Sequence, residues 1–356
     1  IDASASGILS GPKAANLGQL KKMFPDHVVE GLVIPFGIFR DHMNLPMPGQ
    51  GKSYWEFLTE MFETAEAKRQ AGTPDAQVVD YQLAKLATLR DAINAMQLKP
   101  AFVSELRNSF ASIFGKPIGQ APVFLRSDTN MEDLKEFTGA GLNLTLFNVV
   151  EEQKILDGIK KVWASPYTER SFKWRQVYLS NPENVFPSIL VIPSVDVDYS
   201  GVMITKGINE GTDEDLTVAF SRGAGGAVDG QAAETRLVTA NTTKLLAPAR
   251  QPDYIRLPVS GGTKGYSTSF EASILNEKNI QSLREVAEEI RSKIPEETNS
   301  NPKAAYDVEL GFQDDKLWLF QIRPFVENKN ALSNGYLDSI SPKTNPDEYI
   351  EMDSKL

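Results

Sequence analysis

The chain has 356 residues, no cysteine, and 37 basic against 47 acidic side chains, which gives a net charge of −10. The missing thiols exclude disulfides, thiolate catalysis and cysteine-ligated zinc, and they fit the reducing cytoplasm, where we expect the protein to be located. The acidic balance, without a run of Lys or Arg, argues against nucleic acid as the main partner, and no apolar stretch reaches the roughly 20 residues of a membrane span.

The N-terminal third is predicted to be mainly helical. A Gly-Pro turn followed by apolar residues at helical spacing predicts a helix within residues 11–24. A Gly turn then predicts a short strand at 31–39, before a loop rich in Pro and Gly at 44–53. Further apolar residues at helical spacing predict helices near 54–70, 76–97 and 100–114.

The remaining two thirds mix strands with helices. Short apolar runs bounded by turn residues predict strands at 123–125, 189–193, 201–205, 216–220, 306–312 and 317–324. Helical periodicity is found at 151–178 and 276–294, and a polar tail is expected at 330–356. This order predicts an α+β fold with antiparallel hairpins, because strands and helices do not alternate regularly.

The last two predicted strands carry polar residues on one face. Asp307 and Glu309 alternate with apolar residues on the first strand, and Gln321 and Arg323 alternate with them on the second. An odd-length turn or a bulge would place Glu309 beside Gln321 and Arg323, where they could hold Mg²⁺ and a polyphosphate. The alternative is a solvated polar face with a Glu–Arg ion pair that contributes less than about 1 kcal/mol.

Three other features are candidates for phosphate contacts. Arg126 ends a short apolar strand, where it would either pair with a carboxylate or reach a phosphate. Lys13 lies near a helix start, although a lysine there is more often solvent-exposed. The Gly-rich loop at residues 223–226 could approach a phosphate with its backbone N–H groups, but it lacks the spacing of known phosphate loops and also fits a simple turn.

The two histidines, His27 and His42, lie in no recognisable motif. A histidine-based metal site or a Ser-His-Asp triad is therefore not expected. Trp163 and Trp174 occur at helical spacing, which favours a place in the core over a stacking platform.

Several segments, taken in order over about residues 10–325, resemble the nucleotide-binding domain of the pyruvate phosphate dikinase and phosphoenolpyruvate synthase family. They resemble that family's Gly-Gly-Lys opening, its Val-Pro-x-Gly step, its Val-Arg-Ser-Ser loop, its Val-Trp-Ala-Ser helix, its Ser-Gly-Val-Met strand and its closing Gln-x-Arg-Pro. In this chain the matching residues are Gly11-Pro12-Lys13, Val33-Ile34-Pro35-Phe36-Gly37, Leu125-Arg126-Ser127-Asp128 continuing to Phe137-Thr138-Gly139, Val162-Trp163-Ala164-Ser165, Ser200-Gly201-Val202-Met203 and Gln321-Ile322-Arg323-Pro324.

The resemblance implies an ATP-grasp fold with two lobes, in which mixed or antiparallel sheets are flanked by helices and ATP and Mg²⁺ bind between the lobes. It places the N-terminal lobe at residues 1–190, with an approximate boundary, and the C-terminal lobe with the metal-binding hairpin at 191–329. It also implies transfer of the β-phosphoryl group of ATP to a histidine on a separate acceptor domain, in the same or another chain, with release of AMP.

The resemblance also assigns roles to individual residues. Glu309 and Gln321 would bind the metal ion. Arg126 and Arg323 would be the catalytic residues: Arg126 would bind phosphates, and Arg323 would stabilise the transferring group. The residues implied in ATP binding are Lys13, Arg126, Thr138, Gly139, Gly223, Gly225 and Arg323.

The chain also departs from the family pattern. Pro193 replaces a Gln before the link between the lobes, and Gly226 replaces the Glu that follows the family's Gly-Leu-Gly. No Thr-Ser-His-Ala segment is present, so the acceptor domain is expected elsewhere. Two further hypotheses stay open: a nucleotide-binding module that has lost catalysis and acts as a sensor or scaffold, and a dikinase with a different final acceptor.

Overall fold

A computed structural model describes residues 3–131, 144–178, 183–208, 211–225, 233–298, 300–301 and 303–326. Thr138, Gly139, Gly226 and the predicted polar tail at 330–356 lie outside the described residues. All elements named below belong to one compact unit, Ile1–Pro324.

The N-terminal part of this unit is mainly helical. Its elements are α1 (Pro12–Met23), β1 (Leu32–Ile34), α2 (Phe36–Met43), α3 (Tyr54–Gln70), α4 (Asp75–Ala95), α5 (Pro100–Phe114), β2 (Val123–Thr129), β3 (Thr145–Val149), α6 (Glu152–Ala164) and α7 (Glu169–Tyr178). The predicted helices within 11–24, 54–70, 76–97 and 100–114 are confirmed, with small shifts of their ends.

The C-terminal part is mainly strands. Its elements are β4 (Pro187–Pro193), β5 (Tyr199–Ile204), β6 (Leu216–Arg222), β7 (Glu234–Val238), β8 (Thr243–Ala247), β9 (Asp253–Arg256), β10 (Lys264–Ser267), α8 (Glu277–Thr298), β11 (Tyr306–Gln313) and β12 (Lys316–Pro324). The helix predicted at 276–294 is confirmed as α8, and the apolar stripe behind that prediction is buried: Ile280, Leu283, Ala287, Ile290 and Ile294.

Two predicted strand boundaries were wrong. The strand expected at 31–39 ends at Ile34, because the chain enters α2 directly after Pro35 and buries Phe36, Phe39 and Met43 on one face of that helix. The strand expected at 123–125 continues to Thr129, because it pairs along its whole length with β4.

The strands form three antiparallel sheets. A four-stranded sheet has the order β1-β4-β2-β3, a six-stranded sheet has the order β12-β11-β5-β6-β7-β8, and β9 and β10 form a separate two-stranded hairpin. The predicted α+β class, with antiparallel sheets flanked by helices, is therefore confirmed. None of the described helices is long and apolar enough to cross a membrane.

Strand β4 separates two hydrophobic cores. Its residues Ile189 and Val191 point into a core built largely from α2 to α6, whereas Leu190 and Ile192 point into a core shared by α1, α8 and the six-stranded sheet. Alternating strand side chains give β4 these two buried faces. The expected lobe boundary near residue 190 falls inside β4, and the division into two lobes stays a prediction.

Candidate functional site

A β-bulge in the last hairpin brings Glu309 and Gln321 together. Glu309 of β11 is directly opposite Gln321 of β12, but the next residue, Leu310, is opposite Leu319, so Phe320 is an extra residue in β12. In an unbroken ladder Phe320 would face Glu309, and Gln321 would fall on the core side. Of the two irregularities that could pair these residues, an odd-length turn or a bulge, the structure has the bulge, and it puts a carboxylate and a carboxamide side by side.

Arg323 is held by Asp307 on the same face of the hairpin. The two residues are opposite each other, and Arg323 donates from Nε (2.8 Å) and from a terminal nitrogen (2.7 Å) to Asp307 Oδ2. The Arg323 side chain is 57% exposed and that of Asp307 only 18% exposed, so the guanidinium remains accessible to a ligand. The alternative of a solvated polar face stays open, and the ion pair on this face joins Arg323 to Asp307.

This polar face is the face of the six-stranded sheet that α8 does not cover. Val308 and Leu310, which alternate with the polar residues of β11, are buried in the core with α8. Glu309 and Asp307 therefore point to the opposite side, where they are only partly buried.

The oxygen donors on this face suit a magnesium ion in a complex with phosphate. Mg²⁺ in phosphate-transferring sites is usually held by one or two protein oxygens, and phosphate and water supply the remaining ligands. Glu309 and Gln321 offer this number, and within the described ranges no three His, Cys, Asp or Glu side chains form a metal-binding cluster. The residues thus fit an ion that arrives with a nucleotide better than a permanently bound one.

A second polar cluster joins the start of α1 to the end of β2. The buried Asp128 carboxylate accepts hydrogen bonds from the backbone N–H groups of Lys13 (2.9 Å) and Ala14 (3.0 Å). Pro12 fills the first helical position, where no N–H donor is needed. A Cβ atom on Gly11 would lie 2.3 Å from Asp128 Oδ1, so only glycine fits there.

Asp128 caps the N-terminus of α1, where a phosphate could otherwise accept the same N–H groups. Burial raises the pKa of its carboxyl group, and the N–H groups of Ala14 and Lys13 oppose this rise. These two helix N–H groups are already used, so only the side chain of Lys13 is suited to reach a ligand. Its ammonium donates to the Ser127 carbonyl oxygen at 2.9 Å.

Arg126 lies on the same side of the four-stranded sheet as α1. It pairs with Leu190, whose side chain lies in the core with α1, and cross-strand neighbours share a face. Lys13 and Arg126 are thus brought to one side of this sheet, whereas Glu309, Gln321 and Arg323 lie on the six-stranded sheet. That the two groups face each other across one cleft stays a prediction.

The Gly-rich loop is bound to its neighbours through its backbone. The N–H of Gly223 donates to the Asp198 carbonyl oxygen (2.8 Å), and the N–H of Ala224 donates to the Ile255 carbonyl oxygen (3.1 Å). Gly223 (φ +69°) and Gly225 (φ +82°) both have left-handed backbone angles. The expected ATP contacts of Gly223 and Gly225 stay predictions, and in this conformation the Gly223 amide is not available to a phosphate.

His42 has a structural role. Its ring is buried between Phe102 and Trp163, Nδ1 donates to the Ile38 carbonyl oxygen (2.8 Å), and Nε2 accepts from the Lys99 N–H (3.1 Å). Burial lowers the pKa of His42, in accord with a neutral ring. Both ring nitrogens are engaged, so His42 is unsuited to accept a phosphoryl group. Trp163 is fully buried, as the core interpretation predicted.

Two residues important to these clusters had no assigned role in the sequence interpretation. Asp307 was recognised only as part of the polar face, and its pairing opposite Arg323 depends on the register after the bulge. Asp128 was seen only as one polar residue in a loop. Its helix partner is 114 positions away in sequence, so no local pattern indicates that contact.

Comparison with known proteins gives one family and several distant relatives. The family model described as "Pyruvate phosphate dikinase, AMP/ATP-binding domain" matches residues 9–338. A probable phosphoenolpyruvate synthase of Methanothermobacter thermautotrophicus is 24% identical over 85% of this chain and 38% of its own length. The rifampicin phosphotransferase of Bacillus cereus is 24% identical over 89% of this chain and 34% of its own length.

A probable phosphoenolpyruvate synthase of Pyrococcus abyssi is 26% identical over 69% of this chain and 31% of its own length. The chain thus spans about a third of the length of these relatives. Among solved structures, D-alanyl-alanine synthetase A of Vibrio cholerae aligns over 74% of this chain and 62% of its own, with 12% identity and a TM-score of 0.28. That score is too low for the likeness to carry an argument.

Proposed function

The chain belongs to the pyruvate phosphate dikinase AMP/ATP-binding domain family, and on that premise we propose that it binds ATP together with Mg²⁺ and transfers the β-phosphoryl group to a histidine of an acceptor domain. AMP is released, and the γ-phosphoryl group passes to water or inorganic phosphate. The observation that carries this proposal is the register of the last hairpin, in which Glu309 is opposite Gln321 and Asp307 is opposite Arg323. This register puts a carboxylate, a carboxamide and an exposed guanidinium on one face, which is the set of groups that a magnesium–phosphate complex would need.

Glu309 and Gln321 are proposed to bind the metal ion, which would neutralise phosphate charge when bound. Their side chains need no large rearrangement for this, because directly opposite residues on antiparallel strands have Cβ atoms only about 5 Å apart. The carboxylate supplies a charged oxygen and the carboxamide supplies a neutral one, and phosphate and water would complete the shell.

Arg323 is proposed to stabilise the transferring phosphoryl group. Asp307 binds its Nε and one terminal nitrogen, and the side chain is 57% exposed, so phosphate oxygens could approach the guanidinium from the solvent side. Such a pre-oriented cation is an effective catalyst for phosphoryl transfer, in which the protein supplies positioning and charge and little covalent chemistry.

Lys13 and Arg126 are proposed to bind phosphates from the other sheet. The Lys13 backbone is fixed by Asp128, and its ammonium is anchored on β2 at the carbonyl oxygen of Ser127, the residue after Arg126. Thr138, Gly139, Gly223 and Gly225 complete the proposed nucleotide contacts by resemblance to the family, and the proposed lobes at 1–190 and 191–329 would enclose the nucleotide.

A catalytically inactive nucleotide-binding module is the second candidate. The observation in its favour is the Gly-rich loop, where Gly226 replaces an acidic residue of the family and the Gly223 and Ala224 amides already have backbone partners. Such a module would bind ATP without transferring a phosphoryl group.

Calorimetry and a labelled-phosphate assay test the proposal in two steps. ATP should bind the chain in the presence of Mg²⁺, and the absence of heat or thermal shift at millimolar ATP would refute nucleotide binding. With β-³²P-labelled ATP and a histidine-bearing acceptor domain added in trans, label should move to the acceptor and AMP should form. Binding without transfer would favour the inactive module.

A further inference from the structure

The β9–β10 hairpin contacts the Gly-rich loop through β9. Its Ile255 carbonyl accepts the Ala224 N–H, and a Cβ on Gly223 would lie only 2.2 Å from the same carbonyl oxygen. The positions of Gly223 and Ala224 therefore depend on where β9 lies. Tyr254 also borders this loop, because its Cδ2 would be 3.0 Å from that Cβ.

Arg256, the last residue of β9, links the hairpin to the segment between β4 and β5. Its Nε donates to Asp196 Oδ1 (2.9 Å), one terminal nitrogen donates to Asp196 Oδ2 (3.1 Å), and the other donates to Asp198 Oδ1 (2.9 Å). One planar guanidinium thus binds two carboxylates at once, which a lysine cannot do. The hydrogen bond to Asp196 is the main reason that the pKa of Arg256 is raised.

Asp198 links Arg256 to the Gly-rich loop and to the β11–β12 hairpin. Its carbonyl oxygen accepts the Gly223 N–H (2.8 Å), its own N–H donates to the Phe312 carbonyl of β11 (2.7 Å), and its Oδ2 accepts the Asp314 N–H (2.8 Å). Without Arg256, the carboxylates of Asp196 and Asp198 would repel each other. Asp198 would then be displaced, and both the Gly-rich loop and the turn of the β11–β12 hairpin are hydrogen-bonded to it.

The tip of the hairpin is fixed to the other sheet. Asn148 of β3 donates from Nδ2 to the carbonyl oxygens of Pro258 (2.8 Å) and Gly262 (2.8 Å). The backbone carbonyl oxygen of Asn148 accepts the Gly262 N–H (2.9 Å). Asn148 is buried and has a left-handed φ of 51°. The hairpin is thus anchored at its tip by Asn148 and at the end of β9 by Arg256.

We infer that Arg256 is a positioning residue for the nucleotide phosphates: by binding Asp196 and Asp198 it fixes the Gly-rich loop against the turn of the β11–β12 hairpin, and so keeps the polar face of that hairpin in place. This inference rests on the proposed function, since it assumes that the polar face of this hairpin holds the phosphates of ATP and their metal ion. It predicts an effect on ligands that carry phosphates beyond the first, and little effect on AMP.

The experiment compares Arg256→Gln with the wild-type chain by calorimetry of ATP with Mg²⁺ and of AMP. We expect Arg256→Gln to weaken ATP binding by about tenfold and AMP binding by less than about twofold. Arg256→Lys should not restore ATP affinity, because a single ammonium cannot bridge both carboxylates. Arg250→Gln, which removes an exposed arginine between β8 and β9, should bind ATP as the wild type does.

Two further measurements separate positioning from general destabilisation. Leu86→Val, in the helical core, serves as a variant of reduced melting temperature, and it should keep the wild-type ratio of ATP to AMP affinity. Hydrogen exchange of the Gly223 and Ala224 amides should accelerate about tenfold in Arg256→Gln and not in Leu86→Val.

Different failures have different meanings. If the wild type binds no ATP, the proposed function fails. If the wild type binds ATP and Arg256→Gln binds both nucleotides equally well, or loses both equally, the inference about Arg256 is wrong although the proposed function stands. Full restoration by Arg256→Lys would also overturn the inference, because it would show that charge alone is sufficient.

Discussion

Glu309 and Gln321 are direct neighbours across the last hairpin because Phe320 is an extra residue in β12. The bulge reverses the facing of every later residue of that strand, so Arg323 also falls on the polar face beside Asp307. A single backbone irregularity therefore assembles the oxygen donors and the guanidinium in one place. This arrangement is the basis for the predictions about ligand binding below.

Arg323→Gln should separate ligand binding from stability. The Arg323–Asp307 pair is largely exposed on the arginine side, so its loss should lower the free energy of unfolding by less than about 1 kcal/mol. ATP affinity should fall at least tenfold, about 1.4 kcal/mol, because a phosphate-binding cation is lost. Urea unfolding and calorimetry measure the two quantities. A variant that loses stability but keeps its ATP affinity would show that Arg323 has only a structural role.

Gly11→Ala should destabilise the chain, and Gly37→Ala should not. A methyl group on Gly11 would lie 2.3 Å from Asp128 Oδ1, whereas no atom lies within 4 Å of one on Gly37. We expect Gly11→Ala to lower the free energy of unfolding by about 2 kcal/mol or more, because it displaces the carboxylate that caps α1. Gly37→Ala in α2 should be neutral or slightly stabilising. Equal unfolding midpoints for the two variants would contradict the close approach of α1 and β2.

His42 should make stability depend on pH below neutrality. Burial lowers its folded-state pKa, so the unfolded chain takes up the proton first as the pH falls. The contribution of His42 is therefore complete above its unfolded pKa of about 6.5 and is lost as the pH falls from there towards the folded value. Urea unfolding between pH 7.5 and pH 5, run at about 0.5-unit steps, should show a smaller pH slope for His42→Gln than for the wild type. His27→Gln serves as the control, and an unchanged slope in His42→Gln would refute the assignment.

The elements that the sequence predicted well are those whose pattern is local. The stripe of α8 and the alternation in β11 and β12 are complete within one segment, and both were confirmed. The strands β3, β7, β8, β9 and β10 were missed, because most are short and partly exposed and so lack a clear apolar run. Their positions depend on pairing with distant strands.

The same limit applies to the candidate site: its local part was predictable and its long-range contacts were not. The period-2 pattern, with an odd-length turn or a bulge, indicated that Glu309, Gln321 and Arg323 share a face, and the structure confirms this through the bulge. Asp128 could not be assigned, because its function depends on meeting α1 across more than a hundred residues. Arg256 could not be assigned either, since its two carboxylate partners precede it by 60 and 58 positions and follow no motif.

The magnesium dependence of ATP binding in Glu309→Gln tests the central claim most directly. The substitution keeps the size of the side chain and removes the charged oxygen that the metal ion needs. Glu296→Gln, at an exposed position of α8, is the matched control, because it makes the same chemical change away from the hairpin.

Calorimetry of each protein with ATP, with and without Mg²⁺, gives the decisive comparison. The wild type and Glu296→Gln should bind ATP at least about tenfold more tightly when Mg²⁺ is present, and Glu309→Gln should lose this gain. A wild-type affinity that Mg²⁺ does not change, or a Glu309→Gln variant that keeps the full gain, would contradict the assignment of the bulged hairpin as the metal–nucleotide site.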